Sequence, residues 1–317
     1  MTVSELGLSP WPVRAAAFLW GCIWGSFINV VIYRLPRGMS VVRPPSHCPA
    51  CGAPVRPIDN VPILSWLLLR GRARCCGARI SARYAVVEAL GGALSVAIAD
   101  LVVRSATPHQ SASVALSIFL VEDALAMALL AAGFIDAEHM YVPDSITLGG
   151  TTIGLLTTWL RGMSLATTLE GATLGFLGVW LPFVVLYGMV RGRQGMGLGD
   201  AKLVMLAGSF FGWQGAAFAL FAGAVQATVA TLVLLATRGR IDEPESVVAQ
   251  RAALLSAAQA GDDEARKELE QDPLANPPEE GILAARMPFG PFLCLATIEW
   301  MLFAGRIYEM FPWLEAR

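Results

Sequence analysis

The sequence predicts an all-α, polytopic membrane protein. Of its 317 residues, 55% are hydrophobic and only 15% are charged, and the mean hydropathy is +0.57. Several apolar runs are long enough to cross the hydrocarbon core of a bilayer as helices. The net charge of −2 averages over basic and acidic segments that lie apart in the chain, so local charge says more about partners than the total.

Apolar windows between polar breaks predict about eight transmembrane helices. They lie near residues 13–33, 82–103, 113–135, 146–161, 166–190, 200–212, 215–237 and 288–306. The Gly-Trp-Gln-Gly break at 212–215 is a weak boundary, so seven spans are an alternative. Glu5 falls where a signal peptide would be positively charged, and we therefore expect the first span to be retained.

The distribution of arginine predicts the orientation. Residues 34–83 contain nine arginines and a single acid, Asp59. Such an excess of positive charge keeps a loop in the cytoplasm, so we expect the N-terminus on the periplasmic side. Counting spans from there places the turns at 136–145 and 191–199, and the segment 238–287, on the cytoplasmic side.

This topology divides the chain into five parts. They are the periplasmic N-terminus with the first transmembrane helix (1–36), a cytoplasmic cysteine-containing domain (37–83), a transmembrane core (84–237), an acidic cytoplasmic insertion (238–287), and the last transmembrane helix with a periplasmic tail (288–317). Residues 242–280 carry eleven acidic and three basic residues, and we expect one or two short surface helices there. The insertion is either a solvated connection or a docking surface for a basic partner.

Two carboxylates mark the cytoplasmic boundary of the predicted spans. Asp136 ends the third span in FIDAEHMYVPDSIT, and Asp200 opens the sixth in GMGLGDAKL. An ionised group in a membrane is costly unless it is used or paired, so both are candidate functional residues. If the two spans are neighbours, the pair can act as an aspartyl protease dyad, in which one carboxylate takes a proton from water and the other polarises the scissile carbonyl. The alternatives are an N-cap for Asp200 and a simple helix end for Asp136.

The glycines before Asp200 leave room around its backbone. Gly195, Gly197 and Gly199 lack a Cβ, so they allow an extended substrate to approach and also permit positive φ. We expect Asp200 at a helix N-terminus, where the helix dipole favours a carboxylate. Lys202 lies two positions further and does not share that helix face, so a contact with a phosphate or the backbone is as plausible as any ion pair.

Three other polar residues near the first acid have simpler interpretations. Asp144 follows Pro143 and is expected to be the N-cap of the fourth span. Glu138 and His139 are expected to be solvated turn residues.

Four of the six cysteines lie in one polar loop, as Cys48, Cys51, Cys75 and Cys76. A C-x-x-C pair followed by a second pair resembles a zinc ribbon, in which two knuckles each give two thiolates to a tetrahedral ion. Adjacent cysteines point in different directions, so we expect Cys76 to be the better ligand and Cys75 the weaker one, with His47 or water able to complete the shell. The alternative is a set of reduced structural thiols in the cytosol.

Taken together, these residues resemble the prepilin peptidase family, the bifunctional leader peptidases and N-methyltransferases of type IV pili and type II secretion. The likeness runs through GSFINVVIYRLP at 25–36, CPAC at 48–51, the segment 58–90, FIDAEHMYVPDSITL at 134–148, GMGLGDAKL at 195–203 and PFGPFL at 288–293. The chain departs from the family pattern at Ala73, where a knuckle cysteine is usual, and in its long acidic insertion.

The resemblance implies a catalytic pair and a set of supporting residues. Asp136 and Asp200 would be catalytic within a transmembrane aspartyl peptidase core at 84–237, supported by Gly197, Gly199, Lys202 and Glu88. Glu88 is either a hydrogen-bonded helix residue in the second span or a participant in methyl transfer. Cys48, Cys51 and Cys76, with Cys75, would hold a structural zinc ion.

The resemblance also implies a substrate and a methyl donor. The enzyme would cut the basic leader from type IV prepilins or type II secretion pseudopilins after a glycine at the cytoplasmic face of the inner membrane. It would then methylate the new N-terminus with S-adenosylmethionine, whose binding site the sequence does not locate. The expected partners are prepilins, membrane lipid and, through 242–280, the pilus or secretion machinery; no nucleic-acid partner is expected.

Two other functional classes compete with this interpretation. An ion-coupled transporter would use the buried acids to bind protons or cations and the glycine turn as a gate. A non-enzymatic assembly scaffold would use the cysteine loop and the acidic insertion to recruit pilus components. The sequence has no visible inverted repeat, which argues against the transporter.

Overall fold

A computed structural model describes residues 10–107, 109–191, 195–271 and 286–311. Within these ranges the chain is helical, with two isolated β-bridges and no strand. A π-helical segment, Trp180–Leu186, joins the helix that ends at Val179 to the helix that begins at Tyr187. The α-helices α1 to α11 are, in chain order, Pro10–Arg34, Leu64–Leu68, Arg83–Ser105, Ala112–His139, Asp144–Leu156, Leu165–Val179, Tyr187–Arg191, Leu198–Arg238, Glu245–Gln259, Asp263–Gln271 and Gly290–Met310.

The predicted all-α, polytopic membrane architecture is confirmed. Six helical segments in the described part of the chain are long and apolar enough to cross a membrane, where the sequence analysis expected about eight. One difference is α5, whose 13 residues extend only about 20 Å and fall short of a full crossing. The other is α8, which is counted once although its 41 residues contain a break.

The break in α8 lies at Gly212, whose φ of 70° and ψ of −171° are not helical. Only glycine adopts this conformation readily. Beyond it, Gly223 packs against Leu293 and the Thr231 hydroxyl reaches the Met287 sulfur at 3.7 Å, so this half runs antiparallel to α11. α8 is therefore a hairpin of two helices, which match the predicted spans 200–212 and 215–237.

A partly buried arginine closes the helix ends at this break. Arg161 follows α5 in a short 3₁₀ helix and donates to the carbonyls of Phe210 at 3.1 Å, Ser209 at 3.4 Å and Gly154. These are carbonyls at the end of α5 and of the first half of α8. In a membrane, water cannot satisfy such groups, so the guanidinium completes two helices that stop short of the opposite face.

Two glycine crossings bring the helices into close contact. A Cβ added to Gly91 of α3 would lie 2.6 Å from the carbonyl oxygen of Gly21 in α1. In the same way, a Cβ on Gly171 of α6 would lie 2.5 Å from the carbonyl oxygen of Gly208 in α8. Helices in membranes pack largely through such small residues, because burial of apolar surface gives them little driving force there.

The polar segments of the chain lie together at one end of the bundle. Arg83, at the start of α3, forms an ion pair with Glu138 in the last turn of α4. The Ser246 hydroxyl of α9 donates to the carbonyl of Glu138, and Val247 is buried beside it. The short surface helices predicted in the insertion are thus present as α9 and α10, and the insertion is docked on α4 instead of being a fully solvated connection.

The end of α4 corrects one prediction. The helix continues to His139 and is closed by Met140 in the left-handed conformation. Glu138 and His139 are therefore helical and partly buried instead of solvated turn residues.

Candidate active site and cysteine cluster

Asp136 lies in the last turn of α4 and is only 5% exposed. Its Oδ2 atom accepts a hydrogen bond of 2.9 Å from the backbone N–H of Gly290, the first residue of α11. A Cβ on Gly290 would lie 2.7 Å from that oxygen, so the close approach requires glycine. The N-terminus of α11 thus places an N–H group and the positive end of a helix dipole on this carboxylate.

Asp200 lies in the first turn of α8, as predicted for a helix N-terminus. The N-cap is Gly197, and the Oδ2 atom of Asp200 accepts a hydrogen bond of 3.2 Å from the backbone N–H of Gly197. The alternative that Asp200 itself is the N-cap is wrong. The carboxylate reaches back over the first turn and is oriented by the backbone that it satisfies.

The two acids share one site. Asp136 and Asp200 lie close enough to interact electrostatically with each other and with Cys294 of α11, which is 3% exposed. Gly133, one turn before Asp136, packs against the same cysteine. The third predicted span and the sixth, which is the first half of α8, therefore come together at this end of the bundle, where both pack against α11 and α5.

Lys202 forms an ion pair with Asp144 across the start of α5 and α8, with Nζ 2.6 Å from Oδ1. As expected, it is not a hydrogen-bond partner of Asp200. The N-cap role predicted for Asp144 is wrong, because Pro143 occupies the N-cap and Asp144 is the first helical residue. The lysine instead holds two helix N-termini together beside the acids.

The glycines before Asp200 serve packing. None of Gly195, Gly197 and Gly199 has a positive φ, so that part of the prediction is wrong. A Cβ on Gly199 would lie 3.1 Å from the Cβ of Val142, and one on Gly195 would lie 3.1 Å from the ring of Tyr187. Small residues here let α8 begin close to the chain that leads into α5.

The four loop cysteines converge. Their sulfur atoms all lie within 4.8 Å of one another, with separations of 3.7 Å for Cys48 and Cys76, 3.4 Å for Cys51 and Cys75, and 3.9 Å for Cys75 and Cys76. Four thiolates around a tetrahedral zinc ion would be about 3.8 Å apart, given Zn–S distances of about 2.3 Å. The donor set therefore fits such an ion.

The convergence brings Cys75 as close to the other sulfur atoms as Cys76, although the sequence predicted Cys75 to be the weaker ligand. Two similar turns present the sulfurs: the N–H of Gly52 bonds to the carbonyl of Cys48 at 2.8 Å, and that of Gly77 to the carbonyl of Ala73 at 2.8 Å. Ala73 thus stands where the first turn has a cysteine. Cys75, two residues further along the turn, supplies the missing sulfur.

The first turn also favours the thiolate that a metal needs. The backbone N–H groups of Ala50 and Cys51 lower the pKa of Cys48 to about 6. Amides aimed at a sulfur in this way are a common means of stabilising a thiolate.

Glu88 lies with the cysteine loop and not with the two aspartates. It is 8% exposed, and its Oε2 atom accepts a hydrogen bond of 2.6 Å from the backbone N–H of Ile63. Together with Cys48 and Cys75 it lines a cavity of about 350 Å³ between α1, the loop and α3. The residue therefore anchors the loop to a membrane helix at the edge of a pocket.

Sequence reasoning missed two residues of this region. Gly290 lies in the PFGPFL segment, which carried the family resemblance but was given no role. Asp123 is buried in the middle of α4 and accepts hydrogen bonds from the Trp20 ring N–H at 3.0 Å and from the Ser95 hydroxyl. An acid inside the third apolar run was the signal that could have revealed Asp123, which ties α1 and α3 to the helix of Asp136.

Two regions of the chain match known protein families. Residues 19–102 match the family described as the bacterial peptidase A24 N-terminal domain, and residues 124–232 match the type IV leader peptidase family. The first match contains the cysteine cluster and Glu88, and the second contains both aspartates. The two regions of the fold thus correspond to two separate family matches.

Full-length relatives are similar along most of their length. The chain is 35% identical over 229 residues to a prepilin leader peptidase/N-methyltransferase of Aeromonas hydrophila, covering 65% of this chain and 75% of the relative. For the protein of the same name from Klebsiella pneumoniae the values are 35% over 225 residues, 67% and 94%. A type 4 prepilin-like proteins leader peptide-processing enzyme of Escherichia coli is 35% identical over 227 residues, covering 64% and 78%.

No solved structure matches the chain. The two family matches occur in order along one polypeptide, and the relatives are covered over three quarters of their length or more. The chain therefore belongs to the type IV leader peptidase family.

Proposed function

We propose that this chain is an intramembrane aspartic endopeptidase that removes the leader of prepilins, with Asp136 and Asp200 as its catalytic pair. The observation that carries the proposal is the meeting of two acids from separate helices, each held by one backbone N–H, at the end of the bundle that also carries the cysteine loop. The names of the relatives also describe removal or processing of a leader peptide.

The geometry suits an acid–base pair. Two carboxylates that interact in a low-dielectric site favour a state with one proton between them. The ionised carboxylate accepts a proton from the attacking water, and the protonated one donates a hydrogen bond to the scissile carbonyl. The N–H groups of Gly290 and Gly197 hold one oxygen of each acid, which leaves the other oxygens for water and substrate.

The substrate is a prepilin or pseudopilin anchored by its own apolar helix. The arginine-rich loop is expected to be cytoplasmic, and Arg83 of that loop pairs with Glu138 beside Asp136. The site is therefore proposed to face the cytoplasmic side of the inner membrane. The charged leader would lie on that side, and the scissile bond, which follows a glycine, would lie at the depth of the two acids. Because the loop repels a basic leader, the acidic insertion docked on α4 is the better surface for leader or machinery contact.

The proposal is tested with a co-expressed prepilin and mass spectrometry of its N-terminus. Asp136→Asn and Asp200→Asn are each expected to slow leader removal by at least about 100-fold, because each removes one acid–base group. Asp100→Asn is the matched control, since Asp100 pairs with Arg14 on α1, away from the site. Retained cleavage in either site variant would refute the catalytic pair.

We further propose that the four cysteines hold a structural zinc ion. Thiolate sulfur is the preferred ligand for such sites, and four sulfurs at these separations leave no open position for a substrate. The ion would join the turn of Cys48 and Cys51 to the turn of Cys75 and Cys76, and so would stiffen the loop.

The second activity proposed is N-methylation of the new N-terminus with S-adenosylmethionine, as the names of the relatives indicate. When bound, this sulfonium compound supplies an electrophilic methyl group. The methyl group would pass from its sulfur to the substrate nitrogen, which would lose a proton to solvent, so that the donor would depart as a neutral thioether. The chain must therefore hold a cationic donor and admit a neutral amine.

A further inference from the structure

The short helix α2 in the cysteine loop has its apolar side turned outward. Leu64, Leu67 and Leu68 are spaced i, i+3 and i+4, so they share one face of the helix, and they are 57%, 56% and 81% exposed. Ser65 and Trp66 point the other way, because each donates a side-chain hydrogen bond to a backbone carbonyl within the loop. A helix on a loop surrounded by water has the opposite pattern, with its apolar face inside.

We propose that this leucine face is embedded in the cytoplasmic leaflet of the membrane, and that Arg70 and Arg72 bind the phosphate groups of anionic phospholipids there. Helical segments that lie in the membrane interface bury an apolar face among the first acyl carbons and hold basic residues at the headgroups. The cysteine loop would thus be attached to the lipid surface as well as to the ends of α1 and α3.

A bond to Glu88 fixes the depth of α2. With 23 residues, α3 is about 34 Å long, only slightly more than the hydrocarbon core of about 30 Å, so it begins near the edge of that core. Glu88 comes five residues after Arg83, the first residue of α3, and therefore lies about 7 Å deeper. Its carboxylate accepts a hydrogen bond of 2.6 Å from the N–H of Ile63, the N-cap of α2. The start of α2 is thus held close to the depth at which α3 exposes Val86 and Leu90 to lipid.

The chain turns back directly after α2 and places two arginines beside the leucine face. Arg70 and Gly71 have φ of 52° and 66°, and Gly71 packs against the ring of Trp66. Arg70 and Arg72 are both exposed, and neither forms an ion pair within the described part of the chain. Guanidinium groups pair well with phosphate oxygens, so the surface of the leaflet offers these two cations a partner.

The charge of the loop favours lipid over a substrate as the occupant of the leucine face. Residues 34–83 contain nine arginines and a single acid, and such a surface repels the basic leader of the proposed substrate. The same charge attracts the anionic headgroups of the cytoplasmic leaflet. Contact with lipid does not depend on the proposed peptidase activity, so the two can be tested separately.

The depth of α2 is measured by fluorescence quenching in the full-length protein. The fluorescent amino acid acridonylalanine is introduced in place of Leu68, Leu232 or Leu255, and each protein is placed in nanodiscs that contain lipid with a nitroxide high on its acyl chain. Leu232 is exposed near the cytoplasmic end of α8 and is the membrane control, and Leu255 is exposed on α9 in the insertion and is the control outside the membrane.

We expect position 68 to be quenched as strongly as position 232 and at least about threefold more than position 255. Quenching at position 68 equal to that at position 255 would overturn the proposal. If position 68 is unquenched by lipid and becomes shielded only when a prepilin is added, the leucine face binds substrate instead.

Photolabelling of the unmodified protein tests the choice of lipid. Nanodiscs are prepared with phosphatidylglycerol or with phosphatidylcholine, each carrying a diazirine in its acyl chain, and the labelled peptides are mapped. We expect label within residues 64–72, and more of it from the anionic lipid, relative to label at residues 232–238 of α8 in the same sample. No label at 64–72 from either lipid would overturn the embedding, and equal label from both would overturn the role of the arginines.

A variant measures the contribution of the two charges. Arg70→Gln combined with Arg72→Gln should lower the phosphatidylglycerol label at residues 64–72 by at least about threefold, towards the level seen with phosphatidylcholine. Arg266→Gln, at an exposed arginine of α10, is the control and should leave that label unchanged. Equal label in the two variants would contradict the role of Arg70 and Arg72. If the double variant does not fold, the comparison of the two lipids on the unmodified chain decides.

Discussion

At the scale of single residues, the site depends on backbone groups as much as on side chains. The carboxylate of Asp136 is bonded by the N–H of Gly290, and that of Asp200 by the N–H of Gly197. Each donor lies at the N-terminus of a helix, where the first N–H groups have no partner within the helix. The acids therefore satisfy helix ends and are in turn fixed in position by them.

Substitution of Gly290 tests this arrangement. Gly290→Ala places a Cβ 2.7 Å from the Oδ2 of Asp136, so either the carboxylate or α11 must shift. We expect leader removal to fall by at least about tenfold, since small misplacements of reacting groups are costly. Gly305→Ala, in the same helix but with nothing within 4 Å of the added Cβ, should leave the rate unchanged. The rates are compared on a purified prepilin, and equal rates for both variants would show that the contact does not position Asp136.

The second cysteine turn offers a test of compensation. Cys75→Ala should lower the zinc content of the purified protein, because it removes one of four converging sulfurs. Ala73→Cys combined with Cys75→Ala should restore it, because residue 73 occupies the place in its turn that Cys48 occupies in the first. Metal analysis decides, with Cys22→Ser as control because Cys22 lies in α1 outside the cluster. An unchanged zinc content in Cys75→Ala would exclude Cys75 as a ligand.

At the scale of the elements, two short helices hold the site in position. α5 and the first half of α8 both start beside the acids, and both end at Arg161. Their ends lie inside the bundle, where the arginine satisfies carbonyls that lipid could not. Glu122 of α4 interacts electrostatically with the partly buried guanidinium of Arg161.

Removal of this arginine should destabilise the bundle. Arg161→Met preserves much of the side-chain length but leaves several carbonyls unsatisfied and Glu122 without its cation. We expect a loss of roughly 2 kcal/mol in the free energy of unfolding, the scale for leaving buried carbonyls without hydrogen-bond donors. The thermal midpoint in detergent measures it, and Arg104→Met, at an arginine that is exposed on α3, is the control. A midpoint equal to that of the control would contradict the capping role.

At the scale of the whole molecule, the polar parts of the chain meet at one end. The cysteine loop, the two acids and the acidic insertion are joined through Arg83, Glu138 and Ser246. A substrate released at the proposed catalytic acids would thus remain at the end of the bundle that also carries the cysteine loop. The order of the two proposed reactions follows from their chemistry, because the amine that is methylated exists only after cleavage.

The orientation of this end can be measured with single cysteines in a cysteine-free background. Ser256→Cys, exposed on α9, should react with a membrane-impermeant maleimide only after the inner membrane is opened. Ser113→Cys, exposed at the start of α4 on the opposite end, should react in intact spheroplasts. Labelling of residue 256 from outside would reverse the predicted topology.

Much of this architecture was predictable from sequence because its signals are local. Apolar length indicated the membrane helices, and spacing indicated the pair Cys48 and Cys51. Asp136 and Asp200 were candidates because each lies at the end of an apolar span. What sequence could not supply was contact between distant segments. The hydrogen bond from Gly290 to Asp136 joins residues 154 positions apart in the chain. The hydrogen bond from Arg161 to Phe210 of α8 joins residues 49 positions apart. The convergence of Cys75 with the other three sulfur atoms could not be predicted from its adjacency to Cys76, because it depends on the turn that orients its side chain.

The most direct test of the central claim is the rate of prepilin cleavage by purified Asp136→Asn, Asp200→Asn and the double variant. Residues that act as one catalytic unit are strongly non-additive, so each single variant should be about as slow as the double variant. The pair would be contradicted by a single variant that retains most of the wild-type rate, or by losses that multiply in the double variant as if the two carboxylates acted independently.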